Sequence, residues 1–97
     1  MPFLELKNID VFYGDVQVVF GLSAPAEVSA RVLNVAGRPV KTLYLARHCE
    51  AGTNTLLWNA TSDQGTAVPN GTYLVEVTAK TEDGGQARAL GQVRIGR

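Results

Sequence analysis

The chain has 97 residues, 45% of them hydrophobic, and its nine Lys and Arg balance nine Asp and Glu to a formal net charge of +0. That length suits one domain with a core of its own, spanning 1–97. Balanced, dispersed charge gives no electrostatic footprint for nucleic acid, the lone Cys49 rules out an internal disulfide, and no apolar run approaches the ~18 residues that span a bilayer.

Period-two alternation of apolar and polar residues dominates, the pattern of strands with one dry face. The first strand is expected over 3–12, followed by a turn at Gly14-Asp15. In the second, 16–22, the even positions Val16, Val18, Phe20 and Leu22 are all apolar. The third, 27–34, alternates the same way through Val28, Ala30 and Val32. Asn34 to Arg38 reads as a type I turn with Gly37 in the left-handed region, closing a hairpin. Pro39 opens the fourth strand, 39–47, which suits a sheet edge because proline donates no ladder hydrogen bond. Leu56 and Trp58 share a face of the fifth, 54–59. A long turn through Gly65 leads to the Pro69-Asn70-Gly71-Thr72-Tyr73 corner. The sixth strand, 72–80, puts Tyr73, Val75, Val77 and Ala79 on one face, and Asp83-Gly84-Gly85 turns the chain into the seventh, 86–95. No segment carries an apolar stripe at helical spacing. About seven short strands with turns every 8–12 residues predict an all-β fold, an immunoglobulin-like or fibronectin type III-like antiparallel sandwich.

The central block adds a resemblance. Val28, Ala30 and Val32 are followed by Gly37, Arg38, Val40 and Leu43, then by Ala51, Gly52, Trp58 and Asn59, and finally by Gly65, Val68, Pro69, Gly71 and Tyr73. This ordered set resembles the Ig-like (FlgD-like) domain family of the bacterial flagellar hook-capping protein, over about residues 16–95, with its most specific part between Trp58 and Tyr73. Related domains recur near the C-termini of exported bacterial proteins. Two departures stand out: Ala60 replaces the glycine that family members often carry after the Trp-Asn pair, and Phe12 to Asp15 replaces the usual Pro-Asn-Pro-Phe entry.

Trp58, Tyr73, Val32 and Val75 are expected in the core, and Gly37, Gly65, Pro69 and Gly71 in turns. The placement of Tyr73 matches a tyrosine corner, in which the hydroxyl bonds upstream backbone and clamps a crossover. His48, Cys49 and Glu50 are adjacent, but strand neighbours face opposite ways and cannot form a nucleophile–base pair. Cys49 is read as a strand-end residue, or as an exposed thiol able to join two chains. Asp63 with Asn59 and Ser62 falls short of the oxygen donors that calcium needs and fits Asx-type turns. Asn59-Ala60-Thr61 and Asn70-Gly71-Thr72 match the glycosylation acceptor pattern; the bacterial resemblance implies that both matches are coincidences, with the asparagines as turn formers. Scattered cations from Arg31 to Arg97 read as a solvated surface. No catalytic, cofactor-binding or metal-binding residues emerge.

Leu74 and Val19 fall on otherwise polar faces and are the candidate docking positions. The resemblance implies a non-catalytic accessory or interaction module that contacts a neighbouring domain or protein subunit. It would act at the cell surface or outside the cell as part of a longer exported bacterial protein. The opening Met1 to Glu5 does not read as a signal peptide. The alternative is a carbohydrate-binding module, for which Phe12, Tyr13 and Tyr44 are the aromatics left outside the core.

Overall fold

The structure is a computed structural model and describes residues 3–12 and 14–96. Among these residues seven strands form: β1 (Leu4–Phe12), β2 (Asp15–Leu22), β3 (Ala26–Asn34), β4 (Pro39–Cys49), β5 (Gly52–Trp58), β6 (Gly71–Lys80) and β7 (Gln86–Ile95). All pair antiparallel, in a three-stranded sheet ordered β1-β2-β5 and a four-stranded sheet ordered β4-β3-β6-β7. β4 bonds to β3 and does not cross to β5, so the fourth strand lies in the opposite sheet from the one it occupies in a constant-type immunoglobulin domain.

The alternation sets the burial. Val16, Val18 and Phe20 of β2 are sealed from solvent against Val28 and Val32 of β3 and Val75 and Val77 of β6. Because the side-chain period is two, one register fixes a whole dry face at once. Burying side chains of this kind contributes about 1.5–3 kcal/mol each and is the main force holding the layers together.

The two open sides of the sandwich close differently. On one, β1 lies beside β7, where Leu6 and Ile9 press onto Gly91. A Cβ placed on Gly91 would lie within 2.4 Å of both side chains. β1 reaches this position through a bulge between Leu6 and Asn8, which keeps Leu6 and Ile9 facing inward while Lys7 turns outward. Lys7 then runs across Gly21 and its Nζ donates to Thr53 Oγ1 at 3.4 Å. On the other side stand the edge strands β4 and β5, and the Pro39 start of β4 lies at that edge.

The strand limits depart from the sequence pattern at β4 and β5. β4 continues to Cys49 because its pairing with β3 slips three times. Ala46 takes a positive φ of 51° there, and its N–H donates to Ser29 Oγ at 3.0 Å. β5 begins at Gly52, whose φ of 107° makes the bend after Glu50 and Ala51.

Candidate functional site

The most constrained irregular segment is the loop from Asn59 to Asn70 between β5 and β6. It folds on itself as a small hairpin: Thr61 bridges Ala67, Ser62 N–H donates to Thr66 O, and Val68 N–H donates to Ala60 O. Gly65, at a φ of 82°, closes its tip by donating to Ser62 O. Two aromatic side chains hold the base. Trp58 Nε1 donates to Thr61 O at 2.8 Å, and Tyr73 Oη donates to Pro69 O at 2.6 Å. Their rings meet edge to face with centroids 5.7 Å apart, a favourable quadrupolar geometry. Trp58 is therefore both a core residue, 1% exposed, and the anchor of the loop. Tyr73 spans four residues back to Pro69, the geometry of a tyrosine corner.

Ala60 stands at a backbone position that suits glycine. It is buried and sits at a φ of 60°, a left-handed conformation that costs an L-residue about 1–2 kcal/mol.

Asp63 ties the loop to the β4 edge. Its N–H donates to Val40 O at 3.1 Å, and its Oδ1 accepts from Thr42 N–H at 3.1 Å. The carboxylate is thus used on backbone, while Asn59 Oδ1 accepts from Thr61 Oγ1 and Ser62 braces the loop tip. Among the described residues no group of three or more His, Cys, Asp or Glu is placed to hold a metal ion.

His48 and Cys49 diverge, as strand neighbours must. His48 faces solvent with Nε2 3.1 Å from Glu50 Oε1, whereas Cys49 joins the core. The reading of Cys49 as an exposed thiol is therefore corrected: at 8% exposure it is an apolar core residue. Burial pushes its thiol above the ordinary value, only partly offset by the Arg47 charge, so the thiolate that would form a disulfide is disfavoured. The aromatics outside the core offer little flat surface. The Arg47 guanidinium lies 4.6 Å over the Tyr44 ring, whose hydroxyl donates to Thr55 O. Phe12 is about half exposed, and Tyr13 lies outside the described residues.

Val19 and Leu74 occupy the outer faces of the two sheets. Val19 lies between Asn8 and Thr55, and Leu74 between Leu33 and Gln92. Both are half-buried. Leu33 is buried yet stands apart from the main core, on the outer side beside Leu74. Next to this pair, Glu76 lies between two arginines. Oε1 accepts from Arg31 Nε and Oε2 from Arg88 Nε, both at 2.6 Å, with only 8% of the Glu76 side chain exposed. Burial pushes the Glu76 carboxyl up, but the two hydrogen bonds and the arginine charges together pull it further down, below the usual value. Sequence pattern alone does not reveal this triad. Alternation puts Glu76 on the wet face, and only the pairing of Arg31 with Glu76 across β3 and β6 brings the charges together.

Comparison with known proteins agrees with this architecture. A family model described as the FlgD Ig-like domain matches residues 7–83. The Basal-body rod modification protein FlgD of Salmonella typhimurium is 39% identical over 59 residues, 60% of this chain and 25% of the relative. The FlgD of Salmonella typhi matches equally. The chain thus spans about a quarter of the length of these relatives. The crystal structure of FlgD from P. aeruginosa superposes with a TM-score of 0.70 at 18% identity, over 96% of this chain and 69% of that one. That of FlgD from Xanthomonas campestris, described for hook capping essential to flagellar assembly, gives 0.66 at 20% identity, over 95% and 67%. With a family match running from β1 to the β6–β7 turn, this chain belongs to the FlgD Ig-like domain family.

Proposed function

We propose that the chain is a non-catalytic interaction module of an exported or surface-assembled bacterial protein, working by protein–protein contact or as a structural spacer. The observation that carries this reading is the rigid loop of Asn59 to Asn70, locked at both ends by core aromatics and along its side by Asp63. Such bracing gives a surface of fixed shape, which lowers the ordering cost of docking. Val19 and Leu74 then offer partly exposed apolar contacts on either broad face. Family membership supports the same role, because the Xanthomonas campestris relative is described in connection with hook capping and flagellar assembly. Scaffolding of an extracellular assembly is the specific form this reading takes.

A photo-crosslinking side chain placed at Leu74 or Val19 in the full host protein tests it. Discrete crosslinks to a protein subunit or a neighbouring domain are expected. Their absence, together with retardation of the chain by soluble glycans in affinity electrophoresis, would overturn the contact role in favour of carbohydrate binding.

A further inference from the structure

The formal neutrality of the chain conceals a polarity between its two layers. On the outer face of β1-β2-β5, the register places Glu5 opposite Gly21, Asp10 opposite Gln17 and Asp15 opposite Phe12. Three carboxylates there meet one ammonium, that of Lys7, which leaves the face net negative. The outer face of β3-β6-β7 is the reverse. Glu27 pairs with Lys80, Arg31 with Glu76, Thr78 with Arg88 and Thr72 with Arg94. Four cations there meet two carboxylates. Glu76 is already consumed between Arg31 and Arg88, so the triad presents an excess positive charge outward.

Each face also carries apolar area. Phe12, Val19 and Leu57 lie on the acidic side, with Leu57 69% exposed. Leu74 and Leu90 lie on the basic side, with Leu90 46% exposed.

We propose that a second copy of this chain docks face to face and head to tail, the acidic outer face of one copy on the basic outer face of the next. The inference rests on the reading of the chain as a contact module and names its partner. Charge complementarity selects the arrangement: a like face on a like face sets negative against negative or positive against positive, which is repulsive. Only the unlike pairing brings opposite charges and apolar patches together. The molecule measures 41 × 21 × 20 Å, so a broad face of 41 by 21 Å matches the ~800 Å² per partner of a standard interface. A heterologous contact of this kind leaves one unused face at each end, so copies add until a ring closes or a filament extends.

Sedimentation velocity of the chain tests the proposal at ~20 mM and ~500 mM ionic strength, where the screening length differs several-fold. Concentration-dependent association is expected at low salt, weakened at least ~10-fold at high salt. Asp15→Lys on the acidic face and Arg94→Glu on the basic face should each weaken it at least ~10-fold, with unchanged thermal melts showing that both fold. Mixing the two variants should restore association, because each retains one native face for the other. A chain monomeric at both salts up to ~1 mM, or association indifferent to salt and to both substitutions, would overturn the proposal. Crosslinks from Leu74 or Val19 to a different protein would survive that failure, so the contact role and the self-docking are judged separately.

Discussion

Replacing Tyr73 by Phe isolates one hydrogen bond. The ring stays, and with it the edge-to-face contact to Trp58 at 5.7 Å and the burial of the aromatic surface. Only the 2.6 Å bond from Tyr73 Oη to Pro69 O is lost. A net hydrogen bond contributes ~1 kcal/mol, rising to ~3 when the abandoned partner is sealed from water. Pro69 is an exposed residue and the bond is only part-buried, which holds the cost near the lower figure. The expected loss is about 1 kcal/mol, or ~4–8 °C in melting temperature for a chain of this size. In urea the midpoint should fall by ~0.3–1 M with an unchanged slope. Amide exchange at Ser62 and Val68, whose N–H groups hold the loop hairpin, should quicken more than exchange in β3 or β6. An unchanged midpoint would refute the clamp. A loss well above ~3 kcal/mol would show that ring packing, and not the hydroxyl, had been disturbed.

Gly91→Ala should destabilise the fold by about 1–3 kcal/mol in chemical denaturation, since the new methyl collides with Leu6 and Ile9; Leu6→Ala should cost less in the Gly91→Ala background than in the parent, because it relieves one of the two collisions. Ala46→Gly should stabilise by up to about 1 kcal/mol, because the residue is exposed and its φ of 51° suits glycine. Ala60→Gly should gain less, since a buried methyl worth ~0.8 kcal/mol is lost along with the strain. Glu76 has a folded-state carboxyl held below the ordinary carboxylate value, so its unfolded form takes up a proton first as pH falls. Its stabilisation is full above the unfolded value and disappears as pH drops through the folded one. Urea midpoints from neutral to acid pH should therefore show Glu76→Gln less stable than the parent at neutral pH, with the gap closing below pH ~4.

Much of this fold can be read from alternation alone. The even positions of β2 and β3 and the odd positions of β6 are the dry faces, because a period of two leaves no other way to bury them. Asn34 with Gly37 is equally legible: Asn34 Oδ1 accepts from Ala36 and Arg38 N–H, and Gly37 sits at a φ of 81°. Beyond that β3–β4 hairpin, local pattern does not carry the strand pairing. It is silent on the slips that carry β4 to Cys49 and on the burial of Leu33 outside the core. The same gap hid the Glu76 triad, the reach of Asp63 to β4, and the opposite charge of the two faces. A net charge summed along the chain erases whatever the register sorts to either side.

The tie between Asp63 and β4 has a consequence for keeping the protein in solution. An unpaired strand margin is a template on which another extended chain can grow. Here Val40 O and Thr42 N–H, two backbone groups that would invite such growth, are already satisfied from within the molecule, and Pro39 just before them can donate nothing. Crowded copies are thereby denied amyloid-like accretion along that stretch.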